Sequence, residues 1–129
     1  MIDDIGTWWR SDFLICEGSL GMHLEPRIGG MLFEKLDGGA GFVWGSVISF
    51  LPEKNLSYVA QIVPPWGGPA QSVVQLDLAP VEGRANKATT LTLTDSLIGH
   101  VTDELTSSLD EGWQQLYGEG GLKSYVESL

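Results

Sequence analysis

The chain changes its hydrophobic rhythm once, about three-quarters of the way along. From Met22 to Asp95, apolar and polar residues alternate in short runs separated by Gly, Pro, Asn and Asp. From Thr102 onward, apolar residues recur every three or four positions. Period two is the signature of a half-buried strand, and a period near 3.6 that of a helix face. Six strands are predicted, at residues 22–25, 31–36, 42–50, 56–62, 71–79 and 88–95. In the third, Phe42, Trp44, Ser46, Ile48 and Phe50 share the more apolar face and are expected to point at the core. Leu56, Tyr58, Ala60 and Ile62 form the inward face of the fourth, with Ser57 and Gln61 outside. Val74, Leu76 and Leu78 oppose Gln75 and Asp77 in the fifth. The sixth places Leu91 and Leu93 inward and Thr90, Thr92 and Thr94 outward. Connections this short, with a polar loop at 80–87, imply an antiparallel sheet. A helix that follows a run of strands makes the class α+β.

That helix is the element the strands must cover. Thr102 is an N-cap residue, and Asp103 and Glu104 suit the positive end of the helix dipole. Leu105, Leu109, Trp113 and Leu116 lie on one side of an ideal helix, whereas Leu122, Tyr125, Val126 and Leu129 fall nearly opposite. Gly118, Gly120 and Gly121 stand between the two sets. Each costs about 1 kcal/mol against Ala in a helix interior, so a kink, bulge or unwound turn is predicted between Tyr117 and Leu122. At the other end, residues 1–6 read as the end of a helix stopped by Gly6. Of the adjacent Trp8 and Trp9, one is expected to pack inward and the other to lie under a loop or at a rim.

Composition narrows the functional classes. The 129 residues suit a single domain, 1–129, and 43% hydrophobic content with five Trp excludes disorder. Seventeen acids against seven bases give net −10, which disfavours nucleic acid and anionic membrane surfaces as partners. Cys16 is the single cysteine, so neither an internal disulfide nor a thiolate metal cluster is expected. The first residues lack a basic start and an apolar run, and no apolar stretch approaches the roughly 20 residues of a membrane span. A soluble, cytoplasmic protein is the expectation.

Candidate chemistry is sparse. His100 lies close in sequence to Asp103 and Glu104, and His23 sits on a strand with its side chain expected in solvent. A metal site needs three or more convergent ligands, and no such spacing occurs, so no metal and no cofactor are expected. Cys16 has no nearby base to activate it except Arg10. The glycines at 38–41 precede a strand rather than a helix, which removes the phosphate-cradle geometry. Ser19 is not a nucleophile elbow, because Glu17 occupies the position two before it. No catalytic residue is assigned.

Several stretches fall in a familiar order: Asp4-Ile5-Gly6-Thr7-Trp8-Trp9, Leu24-Glu25-Pro26-Arg27-Ile28-Gly29-Gly30, Trp44-Gly45-Ser46-Val47, Glu111-Gly112-Trp113-Gln114-Gln115-Leu116, and Leu122-Lys123-Ser124-Tyr125-Val126-Glu127. Together they resemble the SRPBCC (START-like, helix-grip) superfamily, in particular homologues of the activator of heat-shock-protein-90 ATPase. The resemblance implies a curved antiparallel sheet gripping a long C-terminal helix, with a hydrophobic cavity between them. Members bind lipids, hormones or polyketides, and some catalyse cyclisation; the family has no universal catalytic residue to transfer. Two features depart from its pattern. Only a few residues precede Trp8, where a strand and a short helix are usual, and the glycine-rich stretch lengthens the last helix by about one residue.

Three functional readings follow. The first is a small-molecule binding module whose apolar ligand is lined by Trp44, Tyr58, Leu76, Leu93 and Trp113, with Trp9 near the mouth. The alternative for these side chains is a solid, filled core. The second is a protein-interaction module of the chaperone-regulator kind. The third is a cyclase-like enzyme drawing acid–base groups from Tyr58, His100 or Asp95. With the usual first strand missing or shortened, the sixth strand is expected to be an unpaired edge. Either two chains then associate as a homodimer with two-fold symmetry, or Met1 is not the true start.

Overall fold

The computed structural model describes residues 4–14, 17–81 and 88–129. Cys16, most of the 80–87 loop and the first three residues, on which some of the predictions fall, lie outside them.

Among the described residues, six strands form one curved antiparallel sheet: β1 (Met22–Leu24), β2 (Met31–Lys35), β3 (Gly41–Leu51), β4 (Asn55–Ile62), β5 (Ala70–Pro80) and β6 (Thr89–Gly99). Their order across the sheet is their order in the chain. A one-turn helix α1 (Ile5–Trp8) precedes them, and α2 (Asp103–Tyr117) and α3 (Leu122–Glu127) follow. The α+β class and the antiparallel arrangement are as the hydrophobic rhythm predicts.

Register explains which side chains meet. Phe50, Leu56, Leu76 and Leu93 are successive cross-strand partners, and so are Val47, Tyr58, Val74 and Asp95. These rows form the inner face, on which the principal core cluster is built. β6 runs on to Gly99, beyond the predicted end at Asp95, and so adds Leu97 to that face opposite Ser72.

β3 departs from simple alternation. Val43 pairs with Phe33 and Gly45 with Leu32, leaving Trp44 as an extra residue; Val47 pairs with Tyr58 and Ser49 with Ser57, leaving out Ile48. Each bulge shifts the side-chain phase by one position. Val47 therefore enters the core, Ser46 points out, and Ile48 is 52% exposed, contrary to the predicted inward placing of Ser46 and Ile48. The turn after β1 fixes this phase. Gly29 N–H donates to the Val47 carbonyl at 2.9 Å, and Val47 N–H donates to the Gly30 carbonyl at 2.8 Å. Gly45 also has a steric reason, since a Cβ there would lie 2.7 Å from the Val59 carbonyl oxygen and 2.9 Å from the Tyr58 ring.

The N-terminal prediction is corrected as well. The helix begins at Ile5 and contains Gly6 rather than stopping there. Trp8 and Trp9 are both buried, at 5% and 6% exposure. Alternation fails because the backbone leaves the helix between them: Trp9 is extended, with φ −64° and ψ 129°. Trp8 packs on Tyr117 and Trp9 on Trp44, with ring centroids 5.6 and 5.7 Å apart.

The C-terminal helix starts and breaks where the sequence predicts. The Thr102 hydroxyl accepts from Leu105 N–H at 3.1 Å, satisfying one orphan donor of the first turn. α2 ends at Tyr117; Gly118, Gly120 and Gly121 leave helical geometry, Gly120 with a φ of +85°. The change of direction lets Leu116 and Leu122 both enter the core. Val126 and Leu129, the rest of the second apolar face with Tyr125, stay half-exposed and exposed.

Candidate functional site

Buried leucines anchor α2 near each of its ends. Leu105 packs with Ile62 and Ala70 in a small cluster of its own, and Leu116 joins the principal core. Leu109 and Trp113 between those anchors, and Tyr117 just past the second, face Leu91, Leu93 and Leu97 of β6 across an open cleft of about 940 Å³. Leu122 and Val126 of α3 also line it. The cleft exists because the apolar stripe of α2 is narrow. Thr106, Asp110 and Gln114 each follow an apolar position by one residue, and they turn a polar flank toward β6 that cannot bury itself against leucines.

One carboxylate stands in this wall. Asp95 accepts a hydrogen bond from the Ser72 hydroxyl on one oxygen, and from the Trp113 indole N–H at 2.8 Å on the other. Ser72 is buried in the neighbouring strand, so Asp95 ties the helix to the sheet through a rigid ring. Two donors also offset the cost of holding a charge among apolar side chains. The Trp113 and Tyr117 rings lie 5.9 Å apart, tilted by 44°, and line the cleft together with Asp95.

Tyr117 separates the cleft from a void of about 10 Å³ that Trp8, Leu56, Tyr58 and Leu76 also line. The Tyr58 hydroxyl is buried at this void, with the Tyr117 phenol as its polar neighbour but no partner at full hydrogen-bond geometry. Burial pushes the Tyr117 phenol up to about 12. Tyr58 is pushed well above the ordinary phenol range, first by burial and then by the neighbouring Tyr117 and Asp95. Both phenols are therefore neutral at physiological pH and unsuited to act as general bases.

The predicted site residues divide three ways. Leu93 and Trp113 line the cleft. Tyr58 and Leu76 lie behind it in the core, at the small void. Trp9 and Trp44 belong to an aromatic cluster elsewhere, in which Trp44 stacks on Trp66 at 6.2 Å and donates its indole N–H to the buried Glu34 carboxylate at 3.1 Å. His100 is exposed and is not a lining residue; His23 is exposed and stacks on Phe33 at 5.5 Å. Leu97, Leu109 and Tyr117 also line the cleft and lie outside the predicted set. The alternation that continues through Asp95 to Leu97 and Gly99 is the signal that finds the first of them.

Among the described residues, no three His, Cys, Asp or Glu side chains converge as metal ligands. No helix among them is long and apolar enough to cross a membrane. The chain matches no family model, no curated protein and no solved structure.

Proposed function

We propose that the protein is a binding module for a small apolar ligand held in the cleft between β6 and the C-terminal helices. The observation that carries this reading is the cleft itself. Its volume of about 940 Å³ falls within the range of roughly 300–1,000 Å³ typical of ligand sites. Its walls combine leucines and two aromatic rings with a polar flank of Thr106, Asp110 and Gln114, and Asp95 supplies a fixed carboxylate for orientation. A START-like, helix-grip architecture belongs to the same proposal, supported by a six-stranded antiparallel sheet with a helix across its inner face. An enzymatic reading has less support, because Tyr58 is enclosed and His100 stands outside the cleft. Native mass spectrometry of freshly purified protein is expected to show a co-purifying apolar molecule. Titration with a neutral fluorescent apolar probe is expected to saturate at one site and to be blocked by Leu97→Trp. Weak, non-saturating binding unaffected by Leu97→Trp would refute the proposal.

Self-association is a second proposal, resting on a different observation. Among the described residues β6 pairs with β5 alone, so its other edge presents free backbone donors and acceptors along eleven residues. Asp95 is its one charged residue, and it has neither Lys nor Pro to discourage pairing. Two copies joined antiparallel along β6 would satisfy both edges about a two-fold axis. Light scattering at tens of micromolar is expected to give twice the 14.0 kDa chain mass; a stable soluble monomer would sink this proposal.

A further inference from the structure

We infer that the cleft selects cationic amphiphiles, molecules joining an aliphatic amine or quaternary ammonium head to a long apolar tail. This inference rests on the cleft being a ligand site and adds the chemical class of what enters it. The charged groups lining the cleft are Asp95, Asp110 and Glu127 against Lys123. The lysine ammonium is already engaged, 2.7 Å from Glu119 and 3.9 Å from Glu127. Among the described residues, an anionic head would therefore meet three carboxylates with no uncommitted cation to receive it. A cationic head meets the opposite arrangement. The Trp113 and Tyr117 rings line the cleft together with Asp95, and a cation over an aromatic face is attracted by the ring quadrupole. Each Asp95 oxygen accepts one hydrogen bond from the protein and keeps a lone pair for a further donor. Leu93, Leu97 and Leu109 offer the tail an apolar bed. The net charge of −10 adds long-range attraction for a cation and repulsion for an anion.

The test compares three probes with the same ten-carbon tail, decylammonium, decanol and decanoate, by calorimetry below their micellar concentrations. The ammonium is expected to bind one saturable site about tenfold more tightly than the alcohol, with decanoate the weakest. Asp95→Asn keeps the side-chain shape and is expected to shrink the ammonium's advantage to about threefold or less. Asp110→Asn, on the exposed flank, is expected to lower ammonium affinity while leaving decanol unchanged, and serves if the Asp95 variant folds poorly. Glu111→Gln lies on α2 outside the cleft and is expected to leave the ordering intact, which separates a site from general attraction to an acidic surface. Decanoate binding as tightly as the ammonium would overturn the charge class while leaving the ligand site standing. So would an ammonium advantage that Glu111→Gln diminishes as much as Asp110→Asn does. Failure of all three probes to saturate one site would overturn both this inference and the function on which it rests.

Discussion

Three glycines near the end of the chain make opposite demands, and replacing each with alanine tests why the last helix breaks. Gly112 sits in the middle of α2, where a Cβ would meet nothing within 4 Å. Alanine there removes backbone freedom from the unfolded chain and is expected to stabilise by about 0.5–1 kcal/mol. Gly120 adopts the left-handed conformation at φ +85°, and its added Cβ would have open space apart from Arg10 Nη1 at 3.6 Å. Its penalty is conformational, about 1 kcal/mol. Gly121 is different, because a Cβ would lie 1.9 Å from the Leu116 carbonyl oxygen and 2.7 Å from that of Gln115. Those atoms are backbone, and shifting them dislodges Leu116, which is 2% exposed in the core. A cost of about 1–3 kcal/mol follows, the size of an overpacked core position. For a chain of this length 1 kcal/mol corresponds to about 4 °C in Tm. Circular dichroism melts are thus expected to rise by about 2–4 °C for Gly112→Ala and fall by about 4 °C for Gly120→Ala. They should fall by about 4–12 °C for Gly121→Ala. A Gly121→Ala protein as stable as the parent would show that α2 and α3 can join into one helix, and the reasoning from two opposed apolar faces would fail.

Leu76→Ala is expected to cost about 2–5 kcal/mol in urea unfolding, and Leu93→Ala clearly less, because Leu93 borders an open cleft; equal costs would mean that the cleft is filled. Trp113→Phe keeps a ring on the helix but removes a donor from Asp95, with an expected loss of about 1–3 kcal/mol; no loss would show that the tie between helix and sheet carries no stability. Tyr58→Phe removes a buried hydroxyl with no partner at full hydrogen-bond geometry and only the Tyr117 phenol beside it, and is expected to be neutral or stabilising by up to about 1 kcal/mol; a loss above about 2 kcal/mol would show that the two phenols are bonded. The buried Tyr117 holds its proton more tightly in the folded state, at about 12 against the ordinary 10.0. Its contribution is therefore complete below about pH 10 and lost as pH rises through about 12, so urea midpoints should be flat from pH 8 to 10 and then fall, and midpoints that rise in that window would contradict the assignment.

Much of this architecture is legible in one sequence because its strands are amphipathic and its turns carry Gly, Pro and Asn. β5 faces the core as alternation predicts, and so does β4 in its apolar positions, although Ser57, expected outside, is buried at 3% exposure with its hydroxyl bonded to Asn55. Thr102 caps α2 as predicted. What alternation cannot supply is a change of phase within a strand. Trp44 and Ile48 are bulged by pairing with β2 and β4, a tertiary fact, and Gly45 was the one local hint of a close approach. Trp8 and Trp9 mislead for a similar reason, since the backbone turns between them. The site was half legible. Aromatic and leucine positions suggest an apolar wall, but whether that wall is core or cleft depends on how far the helix stands from the sheet. Leu93 and Leu76 are cross-strand partners of the same chemical type, yet one borders the cleft and the other is enclosed.

That separation has a physical origin in the contrast between the ends of α2 and its middle. Leu105 and Leu116 hold the helix to the sheet at points about 16 Å apart along its axis. Between them Trp113 reaches to Asp95, and a hydrogen-bonded indole is a spacer that cannot shorten the way an aliphatic side chain repacks. The carboxylate is fixed in turn by Ser72 on the next strand, so the spacer rests on the sheet itself. An apolar pair at 95 and 113 would gain by closing the gap and burying Leu91, Leu93 and Leu97 against Leu109. A charged residue bonded to an indole gains nothing from closer approach, since both of its partners are already at bonding distance. The polar contact therefore holds an apolar cleft open. The same two side chains that keep the helix away from β6 also line the space with a carboxylate and an aromatic ring.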